Sequence, residues 1–288
     1  MEFKYEEKRN SLQPATVKLT DEDIANVEQN EVCAGYSSVI GDRETQQDTG
    51  VTGKSENGHF TYAVVCDGMG GMQSGEIASK AAVDYFGRCL SQLAQICSTE
   101  ESSPDIREEL FNMMRTADSI VNKLEDDNGS QYRCGTTAAI CVIENNMLFW
   151  TSVGDSRIYL VRGEDIFVLT NEHNYDFMAE KRKDDEDFTY DSKARGDALV
   201  SYLGLGRLPY IDLNAEPLQL ADGDKIILCS DGLYKSLSDE QIKGIFLSEE
   251  ENMERAASML TTAALMNQSS NRDNTTVIVL KYINQQCL

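Results

Sequence analysis

The sequence predicts an α+β fold, and two observations carry that prediction. Short apolar runs occur in groups that are joined by turn signals, which is typical of antiparallel hairpins. Segments with helical periodicity lie between these groups and do not follow each strand in turn. Strands grouped in this way, with helices inserted between the groups, favour α+β over a doubly wound parallel sheet.

The predicted strands are rich in β-branched, aliphatic or aromatic residues and are bounded by turn residues. Asn145-Asn146 and Gly163-Glu164-Asp165 are short polar connections that predict successive hairpins or a meander. The predicted strands are Ala34–Ile40, Phe60–Cys66, Thr137–Ile143, Met147–Val153, Arg157–Arg162, Asp165–Leu169, Lys225–Cys229 and Thr276–Tyr282.

Four segments are predicted to be helical. In the first, Ala78, Ala82 and Phe86 recur at the spacing of one helix face. Near the third, Ser238 followed by Gln241 forms a capping-box pattern. The predicted helices are Gly75–Cys97, Pro104–Asp126, Ser238–Phe246 and Asn252–Met266.

The chain divides into a polar leader and one folded unit. Residues 1–30 are charged and have no clear period, whereas residues 31–288 carry the strand and helix signals. Within the second part, the segment Asn171–Ala198 is rich in charge and poor in aliphatic residues. That segment is either a solvated face or a mobile flap beside a functional site, and we refer to it as the flap.

The charge balance excludes some classes of function. The chain has 49 Asp and Glu against 26 Lys and Arg, a formal net charge of −23. Such a surface repels nucleic acids and anionic membranes, so we expect neither as a partner. No apolar run is long enough to span a bilayer, and the first residues lack the apolar core of a signal peptide. We therefore expect a cytoplasmic protein.

Cysteine and histidine are poor candidates for the chemistry. None of the eight cysteines forms a CxxC pair, and most lie in apolar runs, which predicts reduced thiols in the core. The two histidines, His59 and His173, argue against a zinc site and against a Ser-His-Asp triad.

Acidic residues recur where predicted strands end or begin. Asp67 follows the run YAVVC and precedes a glycine-rich turn, and Asp231 follows KIILCS in the same manner. Asp273 precedes the last strand, and Asp155 lies between two predicted hairpin strands. Each alone is more often a turn residue than a ligand. Together they predict a site for hard ions, since carboxylates and loop carbonyls are the ligands of Mg²⁺ and Mn²⁺.

Six short motifs follow one another in a specific order along the chain. They are RxxxQD from Arg43 to Asp48, DGMGG from Asp67 to Gly71, GTT from Gly135 to Thr137, GDSR from Gly154 to Arg157, SDGL from Ser230 to Leu233 and DNTT from Asp273 to Thr276. This order resembles the metal-dependent Ser/Thr protein phosphatases of the protein phosphatase 2C (PPM) family. The DGMGG form resembles the bacterial branch. The resemblance covers about Cys33 to Tyr282, and it implies a four-layer sandwich of two central antiparallel β-sheets flanked by helices on both faces.

The resemblance also implies a set of metal ligands. Asp67 would bridge two Mn²⁺ or Mg²⁺ ions, and the carbonyl of Gly68 would bind one of them. Asp231 and Asp273 would complete the coordination of the second ion. Asp155 would hold a weaker third ion together with Asp231.

Further roles follow from the same resemblance. Arg43 would bind the substrate phosphate, and Asp48 would hold water on the metal. Asn274 and His173 are secondary candidates, and for His173 we favour a structural role. Met69 stands where some relatives have a histidine that can act as general acid, so the identity of that acid stays open.

The implied reaction is hydrolysis of phosphoserine and phosphothreonine monoesters by a hydroxide that bridges two Mn²⁺ or Mg²⁺ ions. The implied partners are phosphorylated proteins and an opposing Ser/Thr kinase, and we expect a monomer. The alternative is a catalytically weak phosphatase fold that serves as a regulatory or binding module. Asp67, Asp231 and Asp273 are all present, which favours the enzyme.

Overall fold

Two stacked β-sheets with helices on their outer faces form the fold. The computed structural model describes residues 6–8, 30–70, 74–99, 104–185, 187–191, 193–248, 252–268 and 270–284. The described strands form one eight-stranded and one five-stranded sheet. The prediction of an α+β four-layer sandwich is confirmed.

The larger sheet follows the order β1-β10-β7-β6-β4-β3. Its pairings are antiparallel, except that β1 runs parallel to β10. In addition, β5 pairs with β4 and β11 pairs with β7. The strands are β1 (Glu6–Lys8), β3 (Asp48–Lys54), β4 (Phe60–Gly70), β5 (Cys134–Thr136), β6 (Ala138–Glu144), β7 (Met147–Val153), β10 (Asp212–Asn214) and β11 (Leu218–Gln219).

The smaller sheet is antiparallel throughout, in the order β2-β13-β12-β8-β9. Its longest pairing joins β2 and β13 along their whole length. The strands are β2 (Asn30–Val39), β8 (Arg157–Arg162), β9 (Asp165–Val168), β12 (Lys225–Cys229) and β13 (Thr275–Asn284).

The helices cover both outer faces. Helices α1 (Ser74–Thr99) and α2 (Ile106–Asn122) pack on the larger sheet, and α5 (Asp239–Ser248) and α6 (Met253–Asn267) pack on the smaller one. Two shorter helices, α3 (Tyr175–Lys181) and α4 (Asp231–Tyr234), follow β9 and β12 respectively. No helix within the described ranges has the length and apolarity that a membrane span requires.

Alternation along β4 shows how the layers are held together. Val64 and Cys66 face the helices of the larger sheet, whereas Ala63 and Val65 face the smaller sheet. Because neighbouring strand residues point to opposite faces, a strand covered on both sides must be apolar at every position. This requirement explains the continuous apolar runs that the sequence analysis used to identify the central strands.

The predicted elements are all present, with shifts of a few residues at their ends. The second helix begins at Ile106 and not at Pro104, because Asp105 caps it by accepting the N–H groups of Arg107 and Glu108. The predicted capping box is confirmed: Gln241 Oε1 accepts the N–H of Ser238 at 2.9 Å. The sequence analysis missed β3, whose two glycines weaken the strand pattern.

Two predictions about connections were wrong. β7 and β8 do not form a hairpin, since they belong to different sheets and Asp155 lies where the chain crosses between them. In addition, β4 does not end at Cys66 but continues to Gly70, because β5 pairs with it there. Both errors arose because the pairing partners are distant in sequence.

Most of the predicted leader lies outside the described residues. Only 6–8 and Asn30 of it are described, and 6–8 pair with β10 as an edge strand. The flap is described except for residues 186 and 192.

Candidate functional site

Five aspartates gather at one edge of the sandwich, and we call them the aspartate cluster. They are Asp48, Asp67, Asp155, Asp231 and Asp273. Asp48 and Asp67 lie directly opposite each other in the β3–β4 pairing. The charges of the four other members all act on the carboxyl group of Asp67. The structure therefore brings together the five aspartates that the sequence analysis named.

The β12–β13 pairing positions two members of the cluster. Cys229 pairs with Val277, so the end of β12 lies beside the beginning of β13. Asp231 follows β12 and Asp273 precedes β13, which places both at the same edge. Gly232 is required at this point, because a Cβ there would lie 2.1 Å from the carbonyl oxygen of Asn274.

The backbone of Asp67 is held by two threonines that the sequence analysis did not assign a role. The Asp67 N–H donates to Thr137 Oγ1 at 2.9 Å, and Thr136 Oγ1 donates to the Asp67 carbonyl at 2.9 Å. Thr137 Oγ1 also bonds to Ser156 Oγ at 2.7 Å. All three hydroxyl residues are buried. The only signals for them in the sequence were the GTT motif, for the two threonines, and the GDSR motif, for Ser156.

Burial, together with electrostatic repulsion, disfavours the ionised form of Asp67. Burial, reinforced by the charges of Asp48, Asp231, Asp155 and Asp273, raises the pKa of Asp67 well above its usual range. Without a cation, this environment therefore favours the protonated form of Asp67.

Two further members show the same effect. Burial raises the pKa of Asp48 to about 7; the hydrogen bond from Ser230 opposes that rise, and the charge of Asp231 adds to it. Burial and then the charge of Asp231 raise the pKa of Asp155 to about 6. A divalent cation would relieve this repulsion and displace the protons.

The oxygens of Asp48 give a direct test of whether a metal fits. Ser230 Oγ donates to Asp48 Oδ2 at 2.6 Å. Asp48 Oδ1 is buried and has no hydrogen-bond donor among the described residues. A buried acceptor without a donor costs about 1–3 kcal/mol. An all-carboxylate donor set with an unsatisfied oxygen fits a hard divalent ion and its water ligands.

Two basic side chains engage the loop-borne aspartates. Arg43 Nη2 lies 2.7 Å from Asp273 Oδ2. Lys235 Nζ lies 2.5 Å from Asp231 Oδ2 and 3.8 Å from Asp155 Oδ2. Within the ranges that the structure describes, no three His, Cys, Asp or Glu residues are grouped closely enough to hold an ion. The donor set is thus present, but side chains must move before it can surround a metal.

Lys235 is a site residue that sequence reasoning missed. It follows Asp231 by four residues, the spacing that lets side chains meet on one helical turn. Burial lowers the pKa of Lys235, but the carboxylate of Asp231 outweighs that effect and the pKa is raised overall. Lys235 is therefore a fixed positive charge.

Arg43, the predicted phosphate ligand, lies in the exposed connection that precedes β3. Its side chain is 57% exposed. Asn274 supports this connection: its Oδ1 accepts the Gln47 N–H and its Nδ2 donates to the Ile40 carbonyl, both at 2.8 Å. Both polar groups of the Asn274 side chain bond to the backbone, which is a scaffold role in this structure.

Gly68 lies where β4 approaches the first turn of α1. Its N–H donates to the Gln47 carbonyl at 3.1 Å. A Cβ at Gly68 would lie 2.1 Å from the carbonyl oxygen of Gly75, so no other residue permits this approach.

His173 is buried behind the Asp155 turn. Its ring Nδ1 accepts the backbone N–H of Gly154 at 3.2 Å, and the backbone N–H of His173 donates to the Gly154 carbonyl at 2.8 Å. Because Nδ1 accepts, the ring proton is on Nε2, which lies 3.4 Å from Asp212 Oδ1. Burial raises the pKa of Asp212, but bonds from His173 and Asn171 outweigh it and lower the pKa overall. This arrangement favours the structural role for His173.

The flap is fixed at both ends beside the same turn. The Tyr175 N–H donates to the Ala198 carbonyl and the Val200 N–H donates to the His173 carbonyl, both at 2.9 Å. Between these bonds the segment carries α3 and surface ion pairs such as Arg182–Asp185 at 2.8 Å. The anchored ends place the flap next to Asp155.

A polar cleft of about 540 Å³ begins two residues after Asp67. It is lined by Met69, Gly70, Gln131, Tyr132, Arg133, Cys134, Gly135, Tyr202 and Gly204. This cleft gives an extended ligand a place to lie beside the cluster.

The fully buried cysteines of the described core are poor candidates for a nucleophile. Burial raises the pKa of Cys66 and Cys229, and it raises the pKa of Cys141 to about 12. The seven described cysteines are free thiols, and Cys287 lies outside the described residues.

Comparison with known proteins gives a consistent result. The family model described as protein phosphatase 2C matches residues 36–270. Protein phosphatase PhpP of Streptococcus pneumoniae is 26% identical over 242 residues, which are 84% of this chain and 94% of that protein. The serine/threonine phosphatase stp of Listeria monocytogenes is 26% identical over 220 residues, which are 76% of this chain and 83% of that protein.

Solved structures have the same fold. A Streptococcus agalactiae serine/threonine phosphatase superposes with a TM-score of 0.70 at 25% identity, covering 86% of this chain and 98% of that one. The catalytic domain of the phosphatase PstP, solved in complex with two manganese ions, superposes with a TM-score of 0.68 at 23% identity. That match covers 88% of this chain and 99% of the PstP chain.

Proposed function

This chain belongs to the protein phosphatase 2C family, and we propose that its aspartate cluster is the catalytic centre of a metal-dependent protein serine/threonine phosphatase. The single observation that carries the proposal is the convergence of Asp48, Asp155, Asp231 and Asp273 on Asp67. Carboxylates that converge in this number are typical ligands of hard divalent cations. The named relatives PhpP and stp are phosphatases, and PstP binds two manganese ions.

The residues fit two Mn²⁺ or Mg²⁺ ions in the following roles. Asp67 would hold both ions, the Gly68 carbonyl would bind one of them, and Asp231 and Asp273 would bind the other. When bound, the ions supply Lewis acidity and a nucleophilic water at neutral pH. Asp48, with its free Oδ1, orients water at the centre.

Arg43 binds the phosphate of the substrate. Its guanidinium lies on an exposed connection and reaches Asp273 at 2.7 Å, so it can turn from that carboxylate toward a phosphoryl oxygen. A guanidinium presents parallel donors that match phosphate oxygens. The exposure of Arg43 suits a group that must meet a substrate arriving from solvent.

The substrates are phosphorylated proteins, and the polar cleft beside Met69 receives the chain that flanks the phosphoresidue. A Ser/Thr kinase that modifies the same proteins is the opposing enzyme. We propose a monomer that acts in the cytoplasm, with residues 31–288 as the catalytic domain and the flap as a substrate-contacting element.

One observation favours a second candidate function. Lys235 and Arg43 already occupy Asp231 and Asp273, and no three potential ligands in the described part of the chain are grouped around one point. A chain that kept these ion pairs in solution would be a catalytically weak regulatory or binding module.

Hydrolysis of a phosphothreonine peptide separates the two functions. EDTA-stripped protein is assayed with and without Mn²⁺, beside Asp231→Asn and the control Asp165→Asn, which alters an exposed residue of β9. The phosphatase proposal expects activity that requires Mn²⁺, persists in the control and is lost in Asp231→Asn. Absence of activity in the wild type, with Mn²⁺ binding intact, would instead support the binding module.

A further inference from the structure

Lys235 occupies the space between two carboxylates that the resemblance assigns to a third, weaker ion. Its Nζ lies 2.5 Å from Asp231 Oδ2 and 3.8 Å from Asp155 Oδ2. We propose that Lys235 is a built-in cation for the Asp155–Asp231 pair and keeps a third divalent ion from binding there. This inference rests on the two-metal function proposed above and specifies its metal stoichiometry.

The two carboxylates that Lys235 joins are shielded from solvent. Their side chains are 12% and 15% exposed, for Asp155 and Asp231 respectively, while the Lys235 side chain is 46% exposed. An ion pair between surface groups would be worth little, but carboxylates in a desolvated position need a positive charge. Lys235 supplies that charge from the chain itself.

The backbone under Lys235 is held in place, so its position does not depend on the ammonium group alone. The Lys235 N–H donates to the Asp231 carbonyl at 3.0 Å, at the end of α4. The preceding residue, Tyr234, donates its hydroxyl to the Asp155 carbonyl at 3.0 Å. The Arg157 guanidinium stacks 3.7 Å above the Tyr234 ring. These contacts aim the Lys235 side chain at the Asp155–Asp231 pair.

The two basic residues of the site differ in how firmly the carboxylates hold them. Arg43 contacts only Asp273 of the cluster and is 57% exposed, so a substrate phosphate can draw it away. Lys235 contacts two carboxylates from two different connections, and it follows Asp231 within one helical turn. An ammonium in that position repels a divalent ion within a few ångströms by Coulomb's law. The second ion would share Asp231 with Lys235 but would also be held by Asp67 and Asp273, whereas the third position would have only Asp155 and Asp231, so Lys235 acts most strongly on the third position.

Counting bound Mn²⁺ tests the proposal without reference to activity. The full chain is stripped with EDTA, dialysed and titrated with MnCl₂, and free Mn²⁺ is measured by electron paramagnetic resonance. We expect two ions per wild-type chain, and a third ion in Lys235→Met that binds at least about tenfold more tightly than any third ion in the wild type. Lys235→Gln should behave like Lys235→Met.

Three controls complete the experiment. Lys235→Arg keeps the charge and should bind two ions like the wild type. Lys235→Met combined with Asp155→Asn should lose the third ion again, because the carboxylate that would hold it is gone. Near-ultraviolet circular dichroism verifies that each variant has the wild-type fold. Because the Lys235 side chain is half exposed, both neutral variants should fold.

The outcomes separate this inference from the function on which it rests. Equal third-ion affinity in the wild type and in both neutral variants would overturn the role of Lys235 and leave the two-metal function intact. A third ion that persists in the double variant would also overturn it, since the ion would then bind elsewhere. Fewer than two ions in the wild type would overturn both proposals.

Discussion

The two sheets contribute different halves to the aspartate cluster. Asp48 and Asp67 lie on paired strands of the larger sheet, are rigidly positioned, and have no basic partner in the described structure. Asp231 and Asp273 lie on connections of the smaller sheet and are each paired with a basic side chain. The strand half is therefore preformed but electrostatically unfavourable without a cation, whereas the loop half is neutralised by Lys235 and by Arg43, of which the more exposed Arg43 can exchange its partner.

This difference assigns distinct tasks to the halves. A preorganised strand pair fixes where the metal ions sit, because its carboxylates cannot relax away from one another. The loop half, with Arg43 on an exposed connection, can rearrange as metal and substrate arrive. Each of the following predictions tests one side of this comparison.

Replacing the central carboxylate of the strand half should have the largest effect. Asp67→Asn should lower turnover of a phosphothreonine peptide by at least about 10³-fold, equivalent to about 4 kcal/mol of activation free energy. It should also raise the melting temperature of the metal-free protein, because asparagine has no ionised form whose burial beside the other carboxylates opposes folding. A variant that kept wild-type turnover in excess Mn²⁺ would contradict the assignment.

The stability of the metal-free protein should fall as the pH rises, because buried members of the aspartate cluster have raised pKa values. The folded pKa values of Asp48 and Asp155, about 7 and about 6, lie above the unfolded value of 3.8. Protonation therefore stabilises the fold at low pH, and this stabilisation is lost as the pH rises through the folded pKa values.

Between pH 5.5 and 7.5, the free energy of unfolding should fall by about 2 kcal/mol, as measured by urea denaturation in EDTA. Saturating Mn²⁺ should remove this fall, since the bound ions replace the protons. A metal-free protein that became more stable over the same range would show that the cluster is ionised without a cation.

The threonine that holds Asp67 should be important for stability. Thr137→Val leaves the buried Asp67 N–H without its acceptor, which should cost about 1–2 kcal/mol in the free energy of unfolding. A matched control is available on β4: Thr61 Oγ1 is buried without a hydrogen-bond partner in the described structure, so Thr61→Val should be nearly neutral. Equal losses in the two variants would mean that the hydroxyl of Thr137 has no special role.

Removing the exposed cation of the loop half should have the smallest effect on stability. Arg43→Ala should change the free energy of unfolding by less than about 1 kcal/mol, because the Arg43–Asp273 pair is largely solvated. The same variant should raise KM for a phosphopeptide, since the phosphate loses its guanidinium ligand. Unchanged KM would remove Arg43 from the substrate site.

Sequence reasoning succeeded where the signal is local. The apolar runs that end in Asp67 and Asp231 identified both the central strands and two of the site carboxylates. The order of the motifs identified the family, and the matching family model covers residues 36–270. The failures concern partners that are distant in sequence: the β5 extension of β4 and the crossing of the chain at Asp155 depend on strands that other segments provide.

The amino-acid sequence by itself determined the continuous apolar runs that build two sheets buried on both faces, and the chemical type of the site. Only the tertiary structure decided which aspartates stand opposite each other, which threonines hold Asp67, and that Lys235 meets both Asp155 and Asp231. The physical reason is that hydrophobic periodicity and ligand chemistry are properties of neighbouring residues. Strand register and the pairing of buried charges depend on contacts that form only when distant segments pack together.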